Sequence, residues 1–223
     1  MRGNFEWSPA CLGNASISNW VCYCKSPFET VLNASIDIWD IVDIKASVSE
    51  ISLIFSLTIS WRDPQFIYNN LGENNFENNI EIQNPIIWTP KIKIKTLKDK
   101  DSMIKEEELN VKKEGTAVMS CGMGCLSPNE TYMGSENSLV MKMHYQAVFD
   151  CSFPNIAKYP FDREECFFTF HISGQDNKLT SLVPKEITIS SPSSVGQYQV
   201  LKWEMNETIL QDGKMGIKVD NTK

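Results

Sequence analysis

Alternation of apolar and polar residues is the strongest pattern along the chain. In ISLIFSLTISW, Ile51, Leu53, Phe55, Leu57, Ile59 and Trp61 fall on one face, and Ser52, Ser56, Thr58 and Ser60 on the other, with Ile54 the one exception. A period of two belongs to a strand with one buried and one wet face. VMKMHYQAVF repeats it, setting Met141, Met143, Tyr145, Ala147 and Phe149 against Lys142, His144 and Gln146. CFFTFHI sets Phe168, Phe170 and Ile172 against Phe167, Thr169 and His171, and EITIS and YQVLKWEM read as two further strands. WRDP, NNLGENN, LSPNE, SPSSVG and QDGK carry turn chemistry between the runs. The Asn-rich stretch 69–79 reads as a solvated loop, and the charged KDKDSMIKEEEL as a short exposed turn or loop. With no linker and no repeat, the pattern predicts one all-β domain, a twisted sandwich of short antiparallel strands.

Composition narrows the setting. Hydrophobic residues at 42% and aromatics at 10% are enough to fill a core, which argues against disorder. A net charge of -7 leaves no basic surplus for phosphates, so no nucleic-acid partner is expected. Seven cysteines accompany four N-x-S/T sequons, at Asn14, Asn33, Asn129 and Asn206, which together point to an oxidising, extracellular compartment and to glycosylation. The opening MRGNFEWSPAC has no apolar signal-peptide core, and no run reaches the length of about 18 apolar residues of a membrane helix. The expectation is an extracellular piece, the soluble part of something larger. With two histidines, His144 and His171, and no Ser/His/Asp or paired-carboxylate arrangement, neither an enzyme nor a cofactor or metal site is expected.

CSFPNIAKYPFDREEC raises a separate question. A bridge between Cys151 and Cys166 would staple neighbouring strands, and a loop of this size contributes about 3 kcal/mol. The filling is apolar and stiff, with Phe153, Pro154, Tyr159, Pro160 and Phe161, which suggests that the loop packs on something outside the core. Cys11, Cys22, Cys24, Cys121 and Cys125 are left for two further bridges and one odd thiol, with partners that spacing does not choose.

YPFDREEC resembles the loop of the Cys-loop receptors, the pentameric ligand-gated ion channels. WRDPQFIY (61–68) resembles that family's Trp-x-Asp-x-Arg-Leu segment, IIWTPKI (86–92) its Ile-Trp-x-Pro-Asp segment, and IVDIKASVSEISLIFSLTISW its first two strands, all in the family's order. WTPKI, SWRD and the ring-free stretch after the loop resemble the zinc-activated channel and serotonin-receptor-like branches. The resemblance implies an immunoglobulin-like antiparallel β-sandwich of about ten strands, residues 28–223, beneath a short N-terminal helix or turn within 1–27. It implies assembly with other subunits into a homo- or hetero-pentamer and a small-molecule or ion ligand held between subunits. It also implies a transmembrane pore domain, on which Tyr159, Pro160, Phe161 and Asp162 would press beside the turn that starts at Lys45. A secreted, channel-free binding protein of the same fold, or a structural subunit without its own ligand, are the alternatives.

Departures from the family bear on the ligand. The ring encloses fourteen residues where the family usually has thirteen, and Gln65 and Lys91 stand where the family has Arg and Asp. Counting from the matched motifs puts the agonist pocket at Ser56, Thr58, Lys95, Thr96, Lys142 and Ser173, with no aromatic ring among them. The cation–π cage of amine-gated relatives is therefore not expected, and Lys95 and Lys142 would favour an anion. QDGKMGIKVDNTK is expected to be the ligand-closing loop, with the last strand absent or very short.

Overall fold

The structure, a computed structural model, describes residues 30–45, 49–74, 78–80, 87–95, 103–120, 129–151, 165–173, 180–190, 194–195, 198–199, 202–209 and 215–222. Residues 1–27, Thr96 and Tyr159–Asp162 lie outside the described residues, so the expected N-terminal cap and the face of the Cys loop do too. The described residues form fourteen strands and no α-helix, and none of them forms a helix long and apolar enough to cross a membrane.

The larger sheet contains β1 (Thr30–Lys45), β2 (Glu50–Arg62), β5 (Met103–Lys112), β8 (Ser138–Asp150) and β10 (Thr180–Ile189), in the order β10-β1-β2-β8-β5. A second sheet runs β13-β14-β9-β4, from β4 (Ile92–Lys95), β9 (Glu165–Ile172), β13 (Lys202–Ile209) and β14 (Met215–Thr222). A smaller sheet runs β3-β7-β6, from β3 (Ile67–Asn69), β6 (Val118–Ser120) and β7 (Asn129–Met133), and β11 (Ser194–Val195) pairs with β12 (Tyr198–Gln199). Most pairs are antiparallel, but β1 and β10 run parallel.

The alternation in β2, β8 and β9 is realised as the sequence predicts. Ile51, Leu53, Phe55, Leu57, Ile59 and Trp61 are all buried, as are Met141, Met143, Tyr145, Ala147 and Phe149 from β8 and Phe168, Phe170 and Ile172 from β9. Phe55 joins the two main sheets. Its ring stacks on Tyr145 at 5.1 Å and lies within 6.1 Å of Phe149, Phe168 and Phe170, while Phe149 stacks on Phe168 at 4.2 Å. Each such ring pair adds about 0.5–1.5 kcal/mol beyond the area that it buries.

β1 breaks the period of two. Its pairing with β2 steps past Trp39 and past Val42, so each is an extra residue in a bulge. That is how Ile38, Ile41 and Ile44, three apart in sequence, all reach the buried face.

Three expectations are corrected. The charged segment read as an exposed turn contributes Met103–Leu109 to strand β5, which lies at the sheet edge, where charged residues discourage further pairing. The Asn-rich stretch is not simply solvated: buried Asn78 donates to the carbonyls of Gly72 and Val111 and accepts from the Gly72 amide. The last strand, expected to be absent or very short, is present over eight residues, since β14 lies between β13 and β9 and pairs with both. The WRDP turn forms as expected, and Gly134 closes on it. Its amide donates to Phe66 O at 2.8 Å, and a Cβ there would collide with the carbonyl oxygen of Asp63.

Candidate functional site

Ser56 and Thr58 point away from the core because Phe55 and Leu57 point into it. The ladders put two rows across this outer face of the larger sheet: Asp37, Ser56, His144 and Glu106 in one, and Ser35, Thr58, Lys142 and Glu108 in the next. The polar face expected from alternation is there, but Ser56 is not wet. It is 1% exposed, and its Oγ has no hydrogen-bond partner. The Nδ1 of His144, its neighbour across the ladder, has none either. A buried hydroxyl left unpaired costs about 1–3 kcal/mol, so this pair is a destabilising feature of the sheet.

Trp39, from the first bulge of β1, lies against His144. Its ring centroid is 4.6 Å from that of His144, tilted by 49°. Its Nε1–H donates to Asp37 Oδ2 at 2.7 Å, and Asp37 Oδ1 accepts from Thr188 and Ser190 of the neighbouring segment. The ammonium of Lys142 lies 5.7 Å from the centre of the Trp39 ring, within cation–π range. Counting from motifs gave no ring on this face; the fold supplies one. Its only sequence signal is the surplus apolar residue in IDIWDIVDIK.

The other candidates lie elsewhere. Lys95 ends β4, opposite Thr169 of β9, and is exposed on the side of the second sheet away from Phe168 and Phe170. Ser173 follows the inward Ile172 and donates its amide to Lys91 O at 2.7 Å. The six candidates therefore do not converge within one chain. Ser56, Thr58 and Lys142 share the outer face of one sheet, Lys95 and Ser173 belong to the outer side of the other, and Thr96 lies outside the described residues.

The end of the domain forms a second cluster. A disulfide joins Cys151, just past β8, to Cys166 in β9, with the two Cα atoms 4.7 Å apart. The Cys151 amide donates to Ser49 O at 2.7 Å, and Ser49, at φ 56°, takes the left-handed conformation of the β1–β2 turn. Lys45 lies on the other side of that turn, opposite Glu50 and 3.8 Å from Asp43. The far end of β14 comes to the same place: Asn221 pairs with Cys166, and Thr222 with Glu165.

Of the sequon residues, Asn33 is half-buried within β1, Asn206 is exposed on β13, Asn129 begins β7 and Asn14 lies outside the described residues. Among the described residues no three His, Cys, Asp or Glu side chains are grouped to hold a metal. No protein-family model and no curated protein matches the chain.

Proposed function

We propose that the chain is the extracellular ligand-binding domain of a pentameric ligand-gated ion channel subunit, an immunoglobulin-like β-sandwich that couples a ligand held between subunits to pore opening. One observation carries the reading. The disulfide, the β1–β2 turn and the far end of β14 meet at one end of the domain. A membrane domain following β14 would start beside the Cys loop and the Lys45 turn, the two elements meant to press on it.

The split of the pocket candidates supports assembly. Residues on the outer sides of two packed sheets cannot share a ligand within one chain, but they can across two copies in a ring. Ser56, Thr58 and Lys142 would then form one wall of the pocket, and Lys95 and Ser173 the wall of the next copy. Such a pocket would take a small molecule or ion other than an amine. The disulfide agrees with an oxidising, extracellular setting, and nothing in this reading requires catalysis.

Two experiments test it. The reading frame downstream of Lys223 is expected to encode apolar segments of about 20 residues, and a stop codon directly after Lys223 would overturn the channel reading. In the full-length chain, Thr58→Cys combined with Lys95→Cys and a short bis-maleimide should give a ladder ending at five copies. A ladder no longer than that of the parent chain would overturn the interface.

A further inference from the structure

Lys142 is half-buried on the sheet face, and among the described residues its partner is the ring of Trp39. No carboxylate of the described residues forms a salt bridge with it, although Glu108 stands opposite on β5. The indole is well prepared for a cation. Its Nε1–H is committed to Asp37, whose carboxylate pushes electron density towards the ring, and Asp37 is itself held by Thr188 and Ser190. Trp39 is tilted against His144 and is 41% exposed, and the chain's own ammonium lies over its ring at 5.7 Å.

We propose that Lys142 is the specificity-determining residue of this face: its ammonium fills the cation slot on Trp39 and so excludes organic ammonium ligands. The exclusion is twofold. The attractive ring face is taken, and a second cation placed there would stand against Lys142 at short range. Two hydrogen-bonding atoms of the face, the hydroxyl of Ser56 and Nδ1 of His144, are buried without partners. Both can exchange hydrogen bonds with a neutral polar ligand, so the bar to an organic cation is Lys142 itself. The inference rests on the ligand reading of this face and adds the reason why the face rejects amines.

The test is a titration of the chain with tetramethylammonium, read at the indole N–H resonance of Trp39 and assigned by Trp39→Leu. The wild-type chain should show no saturable shift. Lys142→Gln should bind with a gain of about fivefold or more in affinity, and Lys142→Met, which keeps the stem, should behave alike. Lys142→Arg keeps a cation and should stay like the wild type. The gain should vanish when Trp39→Leu is added to Lys142→Gln. The proposal is overturned if neither neutral variant binds more tightly than the wild type, if Lys142→Arg gains as much as they do, or if the gain survives loss of Trp39. The readout needs a single chain, so a missing cross-linked ladder beside a positive titration removes the assembly reading and leaves this one standing.

Discussion

Replacing Ser56 by alanine should stabilise the protein. The position is 1% exposed in the middle of the central strand β2, and its hydroxyl has no partner. An ordinary buried serine donates or accepts one hydrogen bond, and its loss lowers stability by about 1 kcal/mol. Here the opposite sign is expected. Deletion removes a desolvated polar atom whose burial costs about 1–3 kcal/mol and leaves a void of a single oxygen, which recovers somewhat less. The net expectation is a gain of about 1 kcal/mol, or about 2–4 °C in Tm for a chain of this length. Urea unfolding of the two proteins side by side measures it: the midpoint should rise while the slope stays unchanged, because the surface exposed on unfolding is the same. A lower midpoint for Ser56→Ala would refute the reasoning, since it would mean that the hydroxyl is satisfied in solution. A gain would fit a residue kept for binding at the expense of stability.

Three further outcomes follow from the same geometry. Phe55→Ala removes the ring that joins the two main sheets, so a loss of about 3–5 kcal/mol is expected in urea unfolding; a loss under about 1 kcal/mol would show that the sheets do not depend on it. Cys151→Ala with Cys166→Ala opens a loop with a sequence separation of 15 and should cost about 3 kcal/mol, and an unchanged midpoint would deny the bridge. Glu114 is held down to about 2 by its bond to Lys112, with Arg62 and Ser138 adding to it against partial burial. Because the folded value lies below the unfolded one, its contribution is complete above about pH 4.5 and is lost as pH falls towards 2. Glu114→Gln should therefore flatten the stability–pH curve in that window, and an unchanged acid limb would show that the carboxylate contributes nothing.

How much was legible depends on how regular each ladder is. β2 and β8 pair from Glu50 and Asp150 to Arg62 and Ser138 without a shift, so alternation alone assigns their faces correctly. β5 was missed because a strand at a sheet edge carries charges that mimic a loop; only Leu109 and Val111 are buried in its regular part. β14 was missed because MGIKVDNT holds little apolar signal, and its place between β13 and β9 is decided by the partners. The site shows the same division. The shared face of Ser56, Thr58 and Lys142 follows from counting along regular strands, whereas Trp39 reaches Lys142 through a bulge, and one inserted residue invalidates every face assigned by parity beyond it.

That contrast between regular and bulged strands also bears on coupling. Ser56 and His144 lie six residue pairs from the Glu50–Asp150 pair next to the disulfide, about 20 Å along the strands. On the β8 side of β2 this path has no bulge, so a shift of the ladder at Ser56 has an unbroken route to its end, where the Cys151 amide is bonded to the β1–β2 turn. On the other side, β1 has two bulges between Asp37 and Lys45, at Trp39 and Val42, and these can yield without disturbing the buried Ile38, Ile41 and Ile44. On the proposed reading, a ligand held at Ser56 acts where the compliant strand touches the stiff pair. The stiff pair carries the change to the disulfide end while the bulges absorb the mismatch. Removing this bulge by deleting Trp39 would then be more harmful to coupling than to folding, because the buried face of β2 and β8 does not depend on it.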